Sequence, residues 1–215
     1  MLDTRQYRDD QACGDGTRSD CEQRLDPSRS LPGEAQERWL VDGVRSSRAR
    51  WDLIGQQVFF AERDNDPGAP KRLSMDGWDG YVASRDRVTA GLLAAGAERR
   101  SVNPIVLTGD VHQHYANELK TNYDDPSSRT FGVELVTTSV TSGGDGADDT
   151  TSNLQQREIN PHIKFANARR GYVRVALGRN EAKADFRTLP YVSRPGAPAT
   201  TKASFTVPAG DPQLD

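Results

Sequence analysis

No apolar run in this 215-residue chain approaches the ~20 residues that a helix needs to cross a bilayer, so no transmembrane segment is expected. The opening residues Met1-Leu2-Asp3-Thr4-Arg5 lack the basic start and apolar stretch of a secretory signal. They read instead like the end of a strand inside a domain, and a preceding stretch of polypeptide is expected. Hydrophobic residues make up only 34%, against 19 glycines and 12 prolines, which excludes a helical bundle and favours one loop-rich domain. A formal net charge of -3 removes any global argument for nucleic acid or an anionic membrane as a specific partner. The glycine-rich stretch Ser139 to Gly146 lacks the spacing and following lysine of a phosphate-binding P-loop, which excludes nucleotide binding there. No internal repeat is visible. Cysteine is limited to Cys13 and Cys21, close together in a polar loop. A disulfide between them would fit an oxidising compartment, and a reduced pair is the alternative.

Histidine is equally scarce, yet two of the three lie in one short stretch, Pro104-Ile-Val-Leu-Thr-Gly-Asp-Val-His-Gln-His-Tyr115. Ile105, Val106 and Leu107 read as a buried strand that passes through Gly109 into Asp110, His112 and His114. Side chains at alternate positions of an extended backbone share a face, so these three are expected to point one way as metal ligands. A strand that ends in glycine and opens an Asp/His cluster is how an α/β protein presents ligands at a strand's C-terminal edge.

Elsewhere the pattern alternates helix and strand. Residues 9–30 read as an exposed loop. A helix is expected over 33–48, with Glu34 and Glu37 near its start and Trp39, Leu40, Val41 and Val44 on its apolar side. Trp51 to Phe60 reads as a strand and 64–79 as a loop. A second helix over about 80–96 places Tyr81, Val88, Leu92 and Ala95 on one stripe, with Asp79 as its expected N-cap. Phe131 to Thr138 reads as a further strand, and 171–177 with 182–189 as an antiparallel hairpin. The Pro/Ala/Thr-rich residues 191–215 are expected to form a weakly ordered extension to a domain spanning 1–190. The whole is an α/β protein of mixed α+β character.

Seven segments, in this order, resemble PhoD-type alkaline phosphatases: Asp3-Thr-Arg-Gln-Tyr-Arg8, Gln36-Glu-Arg-Trp-Leu40, Gly77-Trp-Asp-Gly-Tyr81, Thr108-Gly-Asp-Val-His112, Thr138-Ser-Val-Thr-Ser142, Asn160-Pro-His-Ile-Lys164 and Arg170-Gly-Tyr172. The resemblance covers about residues 1–190. That family is similar to calcineurin-like metallophosphoesterases. The resemblance implies the C-terminal half of a four-layer αββα sandwich. It also implies hydrolysis of phosphate mono- and diesters, calcium and iron (Ca2+ and Fe3+) as cofactors, and a secreted, periplasmic or cell-wall location for the full-length protein. Family members carry most metal ligands on an N-terminal half with a metal-binding cysteine, a Gly-Asp-Tyr segment and an Asp-Asp-His-Glu segment. None of these precedes the Asp-Thr-Arg motif here, so that missing half is an expected partner.

Motif by motif, the resemblance implies Asp110 and His112 as ligands of a two-metal centre, one a hard oxygen donor and one an imidazole. His114 is a weaker candidate for contact behind the ligands or with substrate, with solvent exposure the stronger alternative. His162 is either a catalytic proton donor or a structural imidazole bonded to backbone. Arg5 is either a phosphate clamp or the ion-pair partner of Asp3 or Asp9. Trp78 and Tyr81 are candidates for the wall of a phosphoester pocket, with core packing the alternative. Two ligands cannot complete a site that needs roughly six to eight, so the chain alone is expected to be inactive or incomplete. The other readings are a non-catalytic binding module on a degenerate phosphatase scaffold, and a phospholipase D-type phosphodiesterase.

Overall fold

A computed structural model of the chain describes residues 1–99 and 102–215. In chain order its elements are β1 (Thr17–Arg18), α1 (Glu34–Ser46), β2 (Asp52–Gly55), β3 (Leu73–Ser74), α2 (Val82–Arg99), β4 (Pro104–Thr108), β5 (His114–Lys120), β6 (Thr130–Val136), α3 (Thr151–Ile159), β7 (Ile163–Asn167), β8 (Arg170–Leu177), β9 (Glu181–Leu189) and β10 (Thr200–Pro208). Among the described residues no helix is long and apolar enough to cross a membrane.

Five strands form one sheet in the order β2-β4-β6-β5-β7, with β2, β4 and β6 parallel and β5 antiparallel to both its neighbours. A second sheet, β10-β9-β8, is antiparallel throughout. Alternation along the central strands sends side chains to two different cores. Ile105, Val133, Leu135 and Ala116 pack against Ala182, Ala184, Phe186 and Val207 of the small sheet. Val106, Val136, Tyr115 and Leu119 join Leu40 and Val44 of α1 and Val88 and Leu92 of α2. The result is helices on sheet on sheet, three layers of the αββα arrangement. Each large apolar side chain so buried contributes about 1.5–3 kcal/mol. The two helices approach so closely that a Cβ on Gly91 would lie 2.4 Å from Val41 Cγ2, which is why α2 tolerates a glycine in its interior.

Several expectations change. The strand expected over 51–60 stops at Gly55, because the chain then leaves the ladder for a different set of partners. Gln56 bonds Val58 through both its amide oxygen and its amide nitrogen. The backbone N–H groups of Phe60 and Ala61 donate to the carboxylate of Glu134, at 2.7 and 3.0 Å, instead of to a strand. Trp39 lies on the solvent side of α1, 61% exposed, while Glu37 is buried. Asp79 does not cap α2; it is buried in the preceding turn, where it accepts from Arg63 N and pairs with Arg85 at 2.6 Å. The polar segment 151–159 is a helix, started by Thr150, whose side chain accepts from Asn153 N. Residues 200–208 are not weakly ordered: they form β10 along β9, burying Val207. The hairpin of β8 and β9 forms as expected.

Candidate active site

The C-terminal ends of β4 and β6 and the start of β5 meet at one edge of the large sheet, the position at which open α/β sheets present their functional loops. The five-residue link from β4 to β5 carries Asp110 and His112. It is not extended: Asp110 has φ 69° and His112 φ 55°. Left-handed backbone at a non-glycine residue costs roughly 1–2 kcal/mol, and two such residues with one between them need strong support. That support is present. Gly109 N donates to Gln57 O, Val111 N to Gly109 O, Thr138 Oγ1 to His112 O at 2.9 Å and Arg170 Nη1 to His112 O at 2.7 Å. The double reversal breaks the expected alternation. Asp110 and His112 face solvent, whereas His114 turns inward.

His114 is therefore corrected. It is fully buried between the sheets, edge-on to Phe186, with Nδ1 accepting from Thr138 N. Burial pushes its imidazole down to about 4, so it is neutral near pH 7. His112 instead is exposed, its Nδ1 lying 3.3 Å from Ser142 Oγ, which orients the ring and leaves Nε2 for another partner.

Asp110 meets Arg5 and not a metal-ligand neighbour: Arg5 Nη2 donates to Asp110 Oδ1 at 2.6 Å and Nη1 to Asp76 Oδ1 at 2.8 Å. The partners expected for Arg5, Asp3 and Asp9, are replaced by these two. Asp3 instead accepts from the Arg5 and Gln6 backbone N–H groups. Asp76 also accepts from Arg8 Nη1 and Gln11 Nε2. Burial works against its ionisation, but the hydrogen bonds from Arg5 and Arg8 override that and hold the carboxyl at about 2. A narrow cleft of about 30 Å³ separates Asp110 and Val111 from Asp76, Ser74 and Arg63.

Beneath the turn lie two buried ionisable side chains, Arg170 and Glu134. Arg170 donates to His112 O, Ser139 Oγ and Ala168 O, with no carboxylate partner among the described residues, and desolvation lowers its pKa. Glu134 accepts four bonds, from Phe60 N, Ala61 N, Thr108 Oγ1 and Asn117 Nδ2. Burial raises its pKa while those four donors oppose the rise. The network continues from Thr108 through Gln56 to Trp78 Nε1.

The other sequence candidates lie elsewhere. Trp78 and Tyr81 have no exposed surface and belong to the core, Tyr81 donating to Asp9 O, so neither walls a pocket. His162 is buried with Nε2 2.7 Å from Glu62 O. Its carbonyl accepts from Glu118 N, four residues along β5 from His114 and so ~13 Å from the ligand edge. It is a structural imidazole. Cys13 and Cys21 form a disulfide. Asp76 and Glu134 were not picked out in advance, and Arg8, Ser142 and Arg170 lay inside the resembling segments without a role assigned to them. For Glu134 a signal existed, since it is the one charge inside Thr130–Val136.

Among the described residues no group of three or more His, Cys, Asp or Glu side chains converges as a metal site. Asp110 and His112 are two donors without a third, and the residues present do not by themselves fit a metal centre.

Comparisons with known proteins point to one family. The PhoD-like phosphatase family model matches residues 1–186. Alkaline phosphatase D of Bacillus subtilis (strain 168) is 45% identical over 205 residues, an alignment covering 95% of this chain and 34% of that protein. A solved structure described as "Structure of PhoD" matches with a TM-score of 0.93 at 43% identity, covering 100% of this chain and 40% of its own. The chain thus spans about a third of the length of the curated relative. A family match over residues 1–186 shows that the chain belongs to the PhoD-like phosphatase family.

Proposed function

We propose that this chain is the C-terminal part of an exported phosphate-ester hydrolase and supplies Asp110 and His112 to a metal centre completed by polypeptide outside it. One observation carries the reading: a solvent-facing carboxylate and imidazole held in paired left-handed backbone at the C-terminal edge of a parallel strand. Strain of this kind persists where surrounding structure over-determines it, and it clusters at functional sites. Calcium and iron are the metals the family resemblance implies. Asp110 offers a hard oxygen and His112 an imidazole, donor types suited to those ions.

Within the chain, Ser142 orients the His112 ring and Arg170 pins its carbonyl, so the imidazole keeps one direction. Hydrolysis of a phosphate ester places charge on the phosphoryl oxygens, which preorganised cations stabilise. Arg5 and Arg8 bring positive charge to this edge. The Cys13–Cys21 disulfide supports export, because such bonds persist in oxidising compartments.

The test is turnover of p-nitrophenyl phosphate by two proteins. One is the 215-residue chain alone. The other is a chimera in which the preceding part of the Bacillus subtilis relative is fused to it. The chain alone should show little activity. The chimera should be active and should lose at least about a hundredfold on Asp110→Ala. Robust turnover by the chain alone, or an unaffected Asp110→Ala chimera, would overturn the proposal. Phosphatidylcholine as substrate separates monoesterase from phospholipase D-type activity. A correctly folded chimera that turns over neither substrate would leave a binding role.

A further inference from the structure

The short sheet of β1 and β3 stands apart from both large cores, and its own apolar support is Ala12, Cys21, Leu73 and Met75. Residues 14–20 contribute no buried side chain, and Cys13, Gly14 and Gly16 hold left-handed backbone. The segment meets β3 through its backbone: Thr17 and Arg18 pair with Ser74 and Leu73, and Met75 N donates to Gly16 O at 2.9 Å. Its ends are tied by the Cys13–Cys21 disulfide, between positions eight apart. The two cysteines differ in access, Cys21 being packed in the small cluster and Cys13 exposed. β3 runs straight into the ligand edge. Ser74 and Asp76 line the same cleft as Asp110 and Val111, with Asp79 and Arg63. Asp79 is held separately, by Arg85 and the Arg63 N–H. Asp76 is held partly from the disulfide segment: Gln11, just before that loop, donates to Asp76 Oδ1 at 2.7 Å beside Arg5 and Arg8.

We infer that the Cys13–Cys21 disulfide is a redox latch on the ligand edge. Closed, it keeps β1 on β3 and steadies the Ser74–Asp76 wall of the cleft; open, it releases residues 11–21 from that wall while both large cores stay folded. The physical ground is that nothing inside the loop replaces it. A cross-link removes conformational freedom from the open segment. Without it, a run of residues with no buried side chain is left with short backbone ties to β3. The opening step is exchange with a dithiol. Its thiolate attacks the exposed Cys13 sulfur, the S–S bond breaks, and Cys21 leaves as a thiolate that takes up a proton. The second thiol of the reagent then displaces Cys13 from the mixed disulfide. The protein gains two electrons and two protons, and the dithiol departs as its own disulfide. The reverse exchange, with a disulfide reagent, closes the latch in an oxidising compartment. This inference rests on the phosphate-ester reading only for what the cleft serves.

The experiment is amide hydrogen exchange of the isotope-labelled 215-residue chain, read by NMR in the oxidised form and after dithiothreitol. In the reduced form the Met75 N–H, bonded to Gly16 O, should exchange at least about tenfold faster, while amides of β4 and β6 keep their protection. Removing the reagent and adding oxidised glutathione should restore the slow exchange. Cys13→Ser with Cys21→Ser should behave like the reduced chain and ignore dithiothreitol. Should that variant fail to fold, the reversible reduction of the native chain decides by itself. Three results would overturn the inference: unchanged Met75 exchange on reduction, loss of protection throughout β4 and β6, or an equal response to dithiothreitol in the double serine variant. In the chimera the same two substitutions, compared without any reductant, should slow p-nitrophenyl phosphate turnover at least about fivefold through the loosened wall. An active chimera that ignores them would overturn the hold of the latch on the ligand edge. Reversible opening in a chain whose chimera is inactive would keep the latch and sink the phosphatase reading.

Discussion

His162 should make the fold acid-sensitive in a pH range where exposed carboxylates are still ionised. Its ring is buried, edge-on to Tyr123, and Nε2–H donates to the Glu62 carbonyl at 2.7 Å. A second proton would have to enter at the buried Nδ1, with Arg85 and Lys71 nearby. Desolvation is the main cause that pulls its pKa from 6.5 to about 4, opposed by the Glu62 carbonyl and charge and reinforced by those two cations. The folded state thus binds fewer protons than the unfolded state between these values, and stability rises with pH. The contribution is complete above pH 6.5 and is lost as pH falls through about 4. A displacement of this size corresponds to about 3 kcal/mol, of which roughly 2.5 kcal/mol is gone by pH 4.5. For a chain of this length that is about 5–10 °C in Tm. The assay is thermal unfolding by circular dichroism from pH 7.5 to 4.5 for the native chain and for His162→Gln, which keeps a donor toward Glu62 and cannot titrate. His162→Gln should start lower, because it loses the contact with Tyr123, and then fall less steeply with acid. Parallel curves for the two proteins would refute the reasoning.

Two further substitutions probe the buried network beside the ligand edge and the packing of α1 on α2. Glu134→Gln replaces a four-donor acceptor by an amide whose NH2 faces Ala61 N, leaving a buried donor unpaired. It should destabilise the chain by about 2–4 kcal/mol in urea unfolding, and a change below half a kcal/mol would count against the network. Gly91→Ala places a methyl group 2.4 Å from Val41 Cγ2, so the steric cost of about 1–3 kcal/mol outweighs the gain of about 1 kcal/mol in helix propensity. Its Tm should fall and should recover when Val41→Ala is added; a Gly91→Ala chain more stable than its parent would show that the helices do not approach so closely.

Much of this was legible in the residues themselves. The helix of 34–46, the strand at 104–108 and the hairpin of β8 and β9 follow from hydrophobic period and turn residues. The ordered series of motifs pointed to the family that the comparisons show. What failed did so for identifiable reasons. Polar segments such as 151–159 carry little periodic apolar signal, and β10 hides in a stretch rich in small residues. Trp51 to Phe60 has the composition of a long strand, but the backbone partners of Phe60 and Ala61 sit on Glu134, more than 70 residues away.

The ligand segment shows the same division. Sequence alone determined that Asp110 and His112 follow a buried strand through a glycine, because local chemistry decides where a strand ends and which donors come next. Which way those donors face, and what they meet, was decided only by the tertiary structure. Two left-handed residues break the alternation, supported by Thr138 just beyond β6 and Arg170 at the start of β8, and so His114 turns inward while Asp110 turns toward Arg5. Backbone strain of a kcal/mol or two per residue is tolerated only when long-range hydrogen bonds repay it, and such bonds leave no local trace in the chain.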